Sequence, residues 1–171
     1  ESGVWMNRSG DDGRPQFEWI AFPRIAQIAP CYGLVVHDFN SDGHPDLHLV
    51  QNSYSTQPET GLWRGGLSQL LLGKGDGTFR NVPPRQSGLI ISDDGKSSAL
   101  LDLDGDQRPD LIASQNNGPS VSFKSNGNQL LELRLRGKKG NPHGIGAIIK
   151  LQHKDGTSKI HEIKAGSGYL S

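Results

Sequence analysis

Two acidic stretches constrain this chain more than any other feature: residues 38–47, DFNSDGHPDL, and residues 102–111, DLDGDQRPDL. Aligned from the first Asp, both carry Asp at steps 1, 5 and 9, Pro at step 8 and Leu at step 10. Step 3 is Asn40 in the first and Asp104 in the second. Oxygen-bearing side chains at steps 1, 3, 5 and 9 converge on one point if the chain curls into a tight loop. Such a cage suits a hard cation, and calcium is the default because it accepts about six to eight oxygens in flexible geometry. A lone DxDxD-like run is common in polar loops. Two copies sharing a last carboxylate, a proline and an apolar exit argue for two calcium sites.

The helix-flanked calcium loops need a bidentate Glu at step 12 and a helix after it. Step 12 is Leu49 in loop one and Ala113 in loop two, each inside a strand-like run, so that reading fails twice. A hairpin loop is expected instead. Its ligands would be the side chains of Asp38, Asn40, Asp42 and Asp46 with the His44 carbonyl in loop one. In loop two they would be Asp102, Asp104, Asp106 and Asp110 with the Arg108 carbonyl. Gly43 at step 6 permits the positive φ such loops use, whereas Gln107 there would cost about 1 kcal/mol at the same φ. Loop two offers four carboxylates and loop one three plus Asn40, which pulls affinity the other way and leaves the ranking open.

The 171 residues suffice for one domain, or one domain with a small appendage. With 23 Gly, 10 Pro and 33% hydrophobic residues, the core should come from short strands and turns. No helical apolar stripe is sustained, and no apolar run approaches the ~20 residues of a membrane helix. The opening Glu1-Ser2-Gly3 runs into VWM as if a strand were already under way, so the chain is expected to be a piece of something longer. Cys31 stands alone, excludes an internal disulfide and reads as a small buried filler. Net charge is zero, yet residues 1–128 carry −5 and residues 129–171 carry +5. Two bound Ca²⁺ would bring the first part to −1, which assigns most of its acidity to the loops.

Residues 3–6 and 17–22 read as a first pair of strands, with Trp5 and Trp19 as packing aromatics. Residues 33–37, 47–51, 67–73 and 79–82 read as four more, with loop one between the first two and a polar excursion, 52–66, before the third. Pro83-Pro84 should stop the fourth. The pattern restarts at 97–101, 111–114 and 120–124, its loop lying 64 residues after the first. Repeats of four short antiparallel strands are the shape of a β-propeller. From Gln129 the texture changes: 129–136 alternates as a half-buried strand, and 145–153 pairs with 157–165 across Asp155-Gly156.

Other motifs carry less. GKGDGT at 73–78 lacks the Lys-Ser/Thr pair and helix of a phosphate cradle and reads as a hairpin turn. AGSGY around Ser167 lacks the spacing of a nucleophile elbow. The six His are scattered, and His37 and His48 flank loop one without a zinc-like cluster. Arg134, Arg136, Lys138 and Lys139 read as the solvated face of a strand, with no interleaved aromatics for nucleic acid.

LLLGKGDGTFRNV and SSALLDLDGDQRPDLI are similar to FG-GAP/VCBS repeats, the calcium-loop blades of integrin-α-like propellers. The resemblance spans roughly residues 4–125. Residues 131–171, with NPHGIGA and GSGYLS, resemble the ASPIC/UnbV domain that follows such blades in the cartilage acidic protein family and in bacterial surface proteins. The resemblance implies an all-β chain of incomplete propeller blades, about two and part of a third over 1–128, then a small truncated β domain over 129–171. It further implies a secreted, periplasmic or cell-surface protein with structural Ca²⁺ and an adhesion or recognition role. The expected partners are a protein or glycan ligand and the rest of the chain's own propeller, with no nucleic acid, no membrane span and no catalysis. The alternative is the scaffold or carbohydrate-binding part of a polysaccharide-active enzyme or lectin, with Tyr54 and Trp63 stacking on sugar rings. A closed propeller needs ~4–8 blades, so the blade edges at either end are expected to be exposed or paired with further sequence.

Overall fold

The computed structural model describes every residue except 11–12, 55, 62, 129–132, 134, 153, 155, 157 and 167–171. The chain is all-β and forms two compact units, Glu1–Leu130 and Leu131–Ser171. In the first unit, β1 (Gly3–Asn7) and β2 (Phe17–Ala21) make an antiparallel hairpin. A four-stranded antiparallel meander follows: β3 (Cys31–His37), β4 (Asp46–Gln51), β5 (Gln69–Gly73) and β6 (Phe79–Val82). The next sheet has three strands, β7 (Gly95–Leu101), β8 (Asp110–Gln115) and β9 (Val121–Phe123). These are blade-type sheets.

The repeat is exact in its first two strands. β7 and β8 have the lengths of β3 and β4 and begin 64 residues later. Both pairs shift register at the same place, between Cys31 and Gly33 and between Gly95 and Ser97. Bulges twist a strand locally, so the two hairpins share their bend as well as their pairing. The sheets meet where Gly33 faces Ser97: a Cβ on Gly33 would stand 2.9 Å from the Ser97 Cα, so glycine is required there for the strands to approach.

The alternation along β4 suggests one apolar face carrying Leu47 and Leu49, but all six residues are buried. Its place between β3 and β5 explains this. One face joins Leu47 and Leu49 to Ala26 and Leu71, with Val4, Phe22 and Phe79 packed around them. The other face meets β7, where the His48 Nδ1 lies 3.4 Å from the Ser98 hydroxyl and Val50 fills the space beside Gly95. A strand covered on both faces reads as a continuous run, and its polar members must then find partners. Gln51 does so by donating from Nε2 to the Ala26 and Ala29 carbonyls, which pins the 3-10 turn Arg24–Gln27.

Several expectations are corrected. Trp5 and Trp19 pack on each other across the hairpin at 5.1 Å between centroids, but Trp5 is 65% exposed and neither belongs to the core. Cys31 is exposed, at the start of β3, the edge strand of its sheet, and its thiol donates to the Gly33 carbonyl at 3.2 Å. The third strand begins at Gln69 rather than 67 because Ser68 has φ +59, outside the strand region. Pro83-Pro84 ends β6 and also opens a single helical turn, α1 (Pro84–Ser87). Pro at its first position and Gly88 at φ +72 behind it are the expected start and stop of a helix.

The second unit holds the hairpin of β10 (Ile148–Gln152) and β11 (Ser158–Glu162). Before it, the Asn141 side chain receives the Ile145 amide at 2.9 Å and donates to the Ile145 carbonyl at 2.8 Å. Gly144 and Gly146 both sit at positive φ, which accounts for the GIG of the NPHGIGA motif. Ile148 and Ile160 are about two-thirds exposed, so this hairpin buries little of its own apolar surface. Of the alternating run at 129–136, residues 129–132 and 134 lie outside the described residues, while Leu133 and Leu135 are exposed and not in a strand. The GSGYLS motif lies outside the described residues but for Gly166. No helix among the described residues is long and apolar enough to cross a membrane.

Candidate metal centre

Each acidic loop caps a β-hairpin: loop one joins β3 to β4, and loop two joins β7 to β8. The step-1 carboxylate organises the turn in both. Asp38 accepts the Asp42 and Gly43 amides, each at 3.0 Å. Asp102 accepts the Gly105, Asp106 and Gln107 amides at 2.7, 3.1 and 2.8 Å. Step 3 accepts the step-5 amide, at Asn40 and at Asp104, and step 5 accepts the step-7 amide, at Asp42 and at Asp106. In loop one the Asn40 amide group also donates to Asp42 at 2.8 Å. These bonds wrap the backbone around its own acids.

The wrap needs positive φ at steps 4 and 6 of both loops. Loop one has Ser41 at +60° and Gly43 at +91°; loop two has Gly105 at +80° and Gln107 at +64°. Each loop thus supplies one glycine and strains one ordinary residue, at opposite steps. The glycine at step 4 of loop two is a feature that reading step 6 alone overlooks.

The step-9 carboxylates have a different setting. Asp46 and Asp110 are the first residues of β4 and β8 and are fully buried. Asp46 accepts the Phe39 and Gly73 amides, both at 2.8 Å. Asp110 accepts the Leu103 amide at 3.1 Å and the Ser125 amide at 2.8 Å. Each therefore ties its loop to the end of the neighbouring hairpin. Burial nevertheless pushes the Asp46 carboxyl above its ordinary range, against the pull of the Gly73 and Phe39 amides.

The step-7 residues reach the same neighbouring turn. His44 stacks its ring over Gly75, where a Cβ would meet the ring at 2.5 Å and φ is +81°. Arg108 donates from Nε to the Gly127 carbonyl at 2.9 Å and from Nη1 to Asp106 Oδ2 at 2.8 Å. Counting from the amides that bind Asp46 and Asp110, Gly75 and Gly127 are equivalent positions.

Asp102, Asp104 and Asp106 each bring one carboxylate oxygen within 4.8 Å of the other two. Asp110 is not in that group, and among the described residues loop one does not form a second group of this kind. Lys124, just beyond β9, bonds Asp104 and lies 3.6 Å from Asp106 Oδ2. Its bond to Asp104 holds the ammonium above the usual lysine range. Sequence reasoning missed Lys124 because it is 20 residues from Asp104 and outside the repeated motif. Three hard, negatively charged oxygen donors that converge on one point are the donor chemistry of a calcium site, so the residues of loop two fit that ion. Bound there, calcium would supply the positive charge that lets the carboxylates stay close.

A further hub lies between the sheets. Asn52, buried at φ +91°, donates from Nδ2 to the carbonyls of Gly66, Ser92 and Asp93 and receives the Gly66 amide at 2.9 Å. It fastens both ends of the polar excursion 52–66 to the lead-in of β7. Beside it a cleft of about 290 Å³ is lined by Tyr54, Asp93, Asp94 and residues 116–119. Trp63 pairs with Ser53 across the excursion and is half exposed.

Comparison with curated proteins returned no match, and comparison with solved structures returned none. The matched family stretch ends within β8 and does not extend to the C-terminal segment. Residues 38–113, from the first Asp of loop one through loop two, match the family model of the FG-GAP-like repeat, and it is to this repeat family that the chain is similar.

Proposed function

We propose that the first unit is a calcium-stabilised recognition module with no catalysis of its own, acting at a cell surface, in the periplasm or outside the cell. The convergence of Asp102, Asp104 and Asp106 carries this reading. It is supported by the FG-GAP-like repeat match across both loops. Asp102, Asp104 and Asp106 would hold the ion in loop two, and Asp38, Asn40 and Asp42 in loop one. The His44 and Arg108 carbonyls complete the proposed sets. Asp46 and Asp110 would hold each loop against the next strand while the ion neutralises the remaining acids. Extracellular modules of this kind bind calcium at ~10⁻⁴–10⁻³ M. The role proposed for calcium is structural, and the second unit is proposed as an ASPIC/UnbV-like β domain.

Thermal unfolding in millimolar Ca²⁺ and in EGTA tests the reading. A clearly higher Tm with calcium is expected, and coincident transitions would overturn it. A second reading, glycan binding, is favoured by the cleft beside Tyr54, which combines an exposed aromatic ring with Asp93 and Asn117. A glycan array would register it, and loss of any signal on Tyr54→Ala would place it at that cleft.

A further inference from the structure

We infer that Lys124 is the internal counter-ion of loop two and competes with a divalent cation for the same carboxylates, an inference that rests on the calcium reading above. Its ammonium holds two of the three converging acids, bonding Asp104 and standing 3.6 Å from Asp106. Arg108 also touches Asp106, but it is fixed at a second point by the Gly127 carbonyl. Among the described residues Lys124 has no such anchor outside the acid cluster, and its side chain is 62% exposed. Its backbone neighbour is meanwhile held in place, because the Ser125 amide bonds Asp110. The side chain can therefore swing out on its flexible stem while the strand end stays put. Entry of Ca²⁺ into loop two is then an exchange: one ammonium leaves Asp104 and Asp106 as the divalent ion takes their oxygens.

The two loops differ in this respect by sequence. Gly73 bonds Asp46 as Ser125 bonds Asp110, so the residue equivalent to Lys124 is Leu72, which brings no charge. Competition by a lysine at this position belongs to loop two alone. It keeps that loop neutralised when calcium is scarce and weakens its affinity when calcium is present. The second effect offsets the extra carboxylate that Asp104 supplies over Asn40.

Calorimetric titration of the full chain with CaCl₂ tests this, in a background where Asp38→Asn and Asp42→Asn disable loop one. Lys124→Gln is expected to tighten calcium binding by about tenfold, the scale of removing a like charge a few ångströms from a partly exposed ion. Lys124→Arg, which keeps the charge, should leave binding weak. On the otherwise unaltered chain, Lys124→Gln should lower Tm in EGTA and enlarge the calcium-induced rise in Tm. Calcium binding that is unchanged or weaker in Lys124→Gln would overturn the role of Lys124 and leave the calcium site standing. No calcium binding in any variant, including the chain with both loops intact, would overturn both.

Discussion

The Asp46 carboxylate receives the amide of Gly73, 27 residues away, at 2.8 Å, and by that one bond loop one is fastened to the end of β5. The other oxygen takes the Phe39 amide inside the loop. Both donors are backbone groups that would otherwise be buried or half-buried without a partner. Asp46→Ala should therefore cost about 3 kcal/mol of stability, the scale for stranding buried donors of a charged acceptor. Asp46→Asn keeps the shape but can accept on only one oxygen, and should cost somewhat less. Urea denaturation in EGTA would measure both without a contribution from metal. A loss below 1 kcal/mol for the Ala variant would show that the bond is dispensable.

Two residues further along the same strand, His48 makes acid a threat to the fold. The ring is fully buried, its Nε2 has no partner among the described residues, and burial lowers its pKa to about 4 from an ordinary 6.5. The unfolded chain then binds the proton that the folded chain refuses. Stability is complete above pH 6.5 and falls as pH drops toward 4, by about 3 kcal/mol at most. Asp46, with its carboxyl raised by burial, acts in the opposite direction as pH rises above 3.8. Subtracting the pH profile of His48→Leu from that of the wild type isolates the histidine. The difference should vanish at pH 7.5 in slope and steepen below 6.5; parallel profiles would refute it.

What the sequence made legible is what repeats over short distance. The two acidic loops announced β3, β4, β7 and β8 to within two residues, because a hairpin loop of fixed chemistry dictates where its strands begin. The strand texture in between was enough for β5, β6 and β9. Burial was harder. His48 looks like one member of an alternating face, and only the packing of β7 on β4 makes it core. Trp5 and Trp19 look like core and lie outside it, since a two-stranded ribbon has no second layer of its own to cover them. Lys124 and Asn52 were illegible for a common reason: their partners are set by which sheet edge lies next to which loop. Neither is part of a local pattern.

Asn52 illustrates the energetic side of that limit. Its side chain serves three carbonyls and one amide in a buried site, and its backbone is held at φ +91°. Asn52→Ala should cost about 3 kcal/mol, because it strands the Gly66 amide and because alanine tolerates positive φ less well than asparagine does. Asn52→Gly loses the same hydrogen bonds but accepts the backbone, and should be about 1 kcal/mol less harmful. Equilibrium denaturation of the pair checks the order. An alanine variant as stable as the glycine variant would mean that the backbone relaxes on substitution.

The sharpest comparison available within one chain is between steps 4 and 6 of the two loops. Ser41 at +60° and Gln107 at +64° occupy a conformation that costs an ordinary residue about 1–2 kcal/mol, while their counterparts Gly105 and Gly43 occupy it without strain. A glycine also gives the unfolded chain more freedom, which returns part of the gain. Ser41→Gly and Gln107→Gly should thus each stabilise by about 0.5–1 kcal/mol. Gly43→Ala and Gly105→Ala should each destabilise by about 1 kcal/mol, and by conformation alone, because no atom lies within 4 Å of the Cβ either would add. The four single variants, unfolded in urea with EGTA present, should fall into two pairs of opposite sign. If Gln107→Gly instead destabilises, the glutamine side chain is making a contact that outweighs its backbone strain, and the two loops are less alike than their shared dihedral pattern implies.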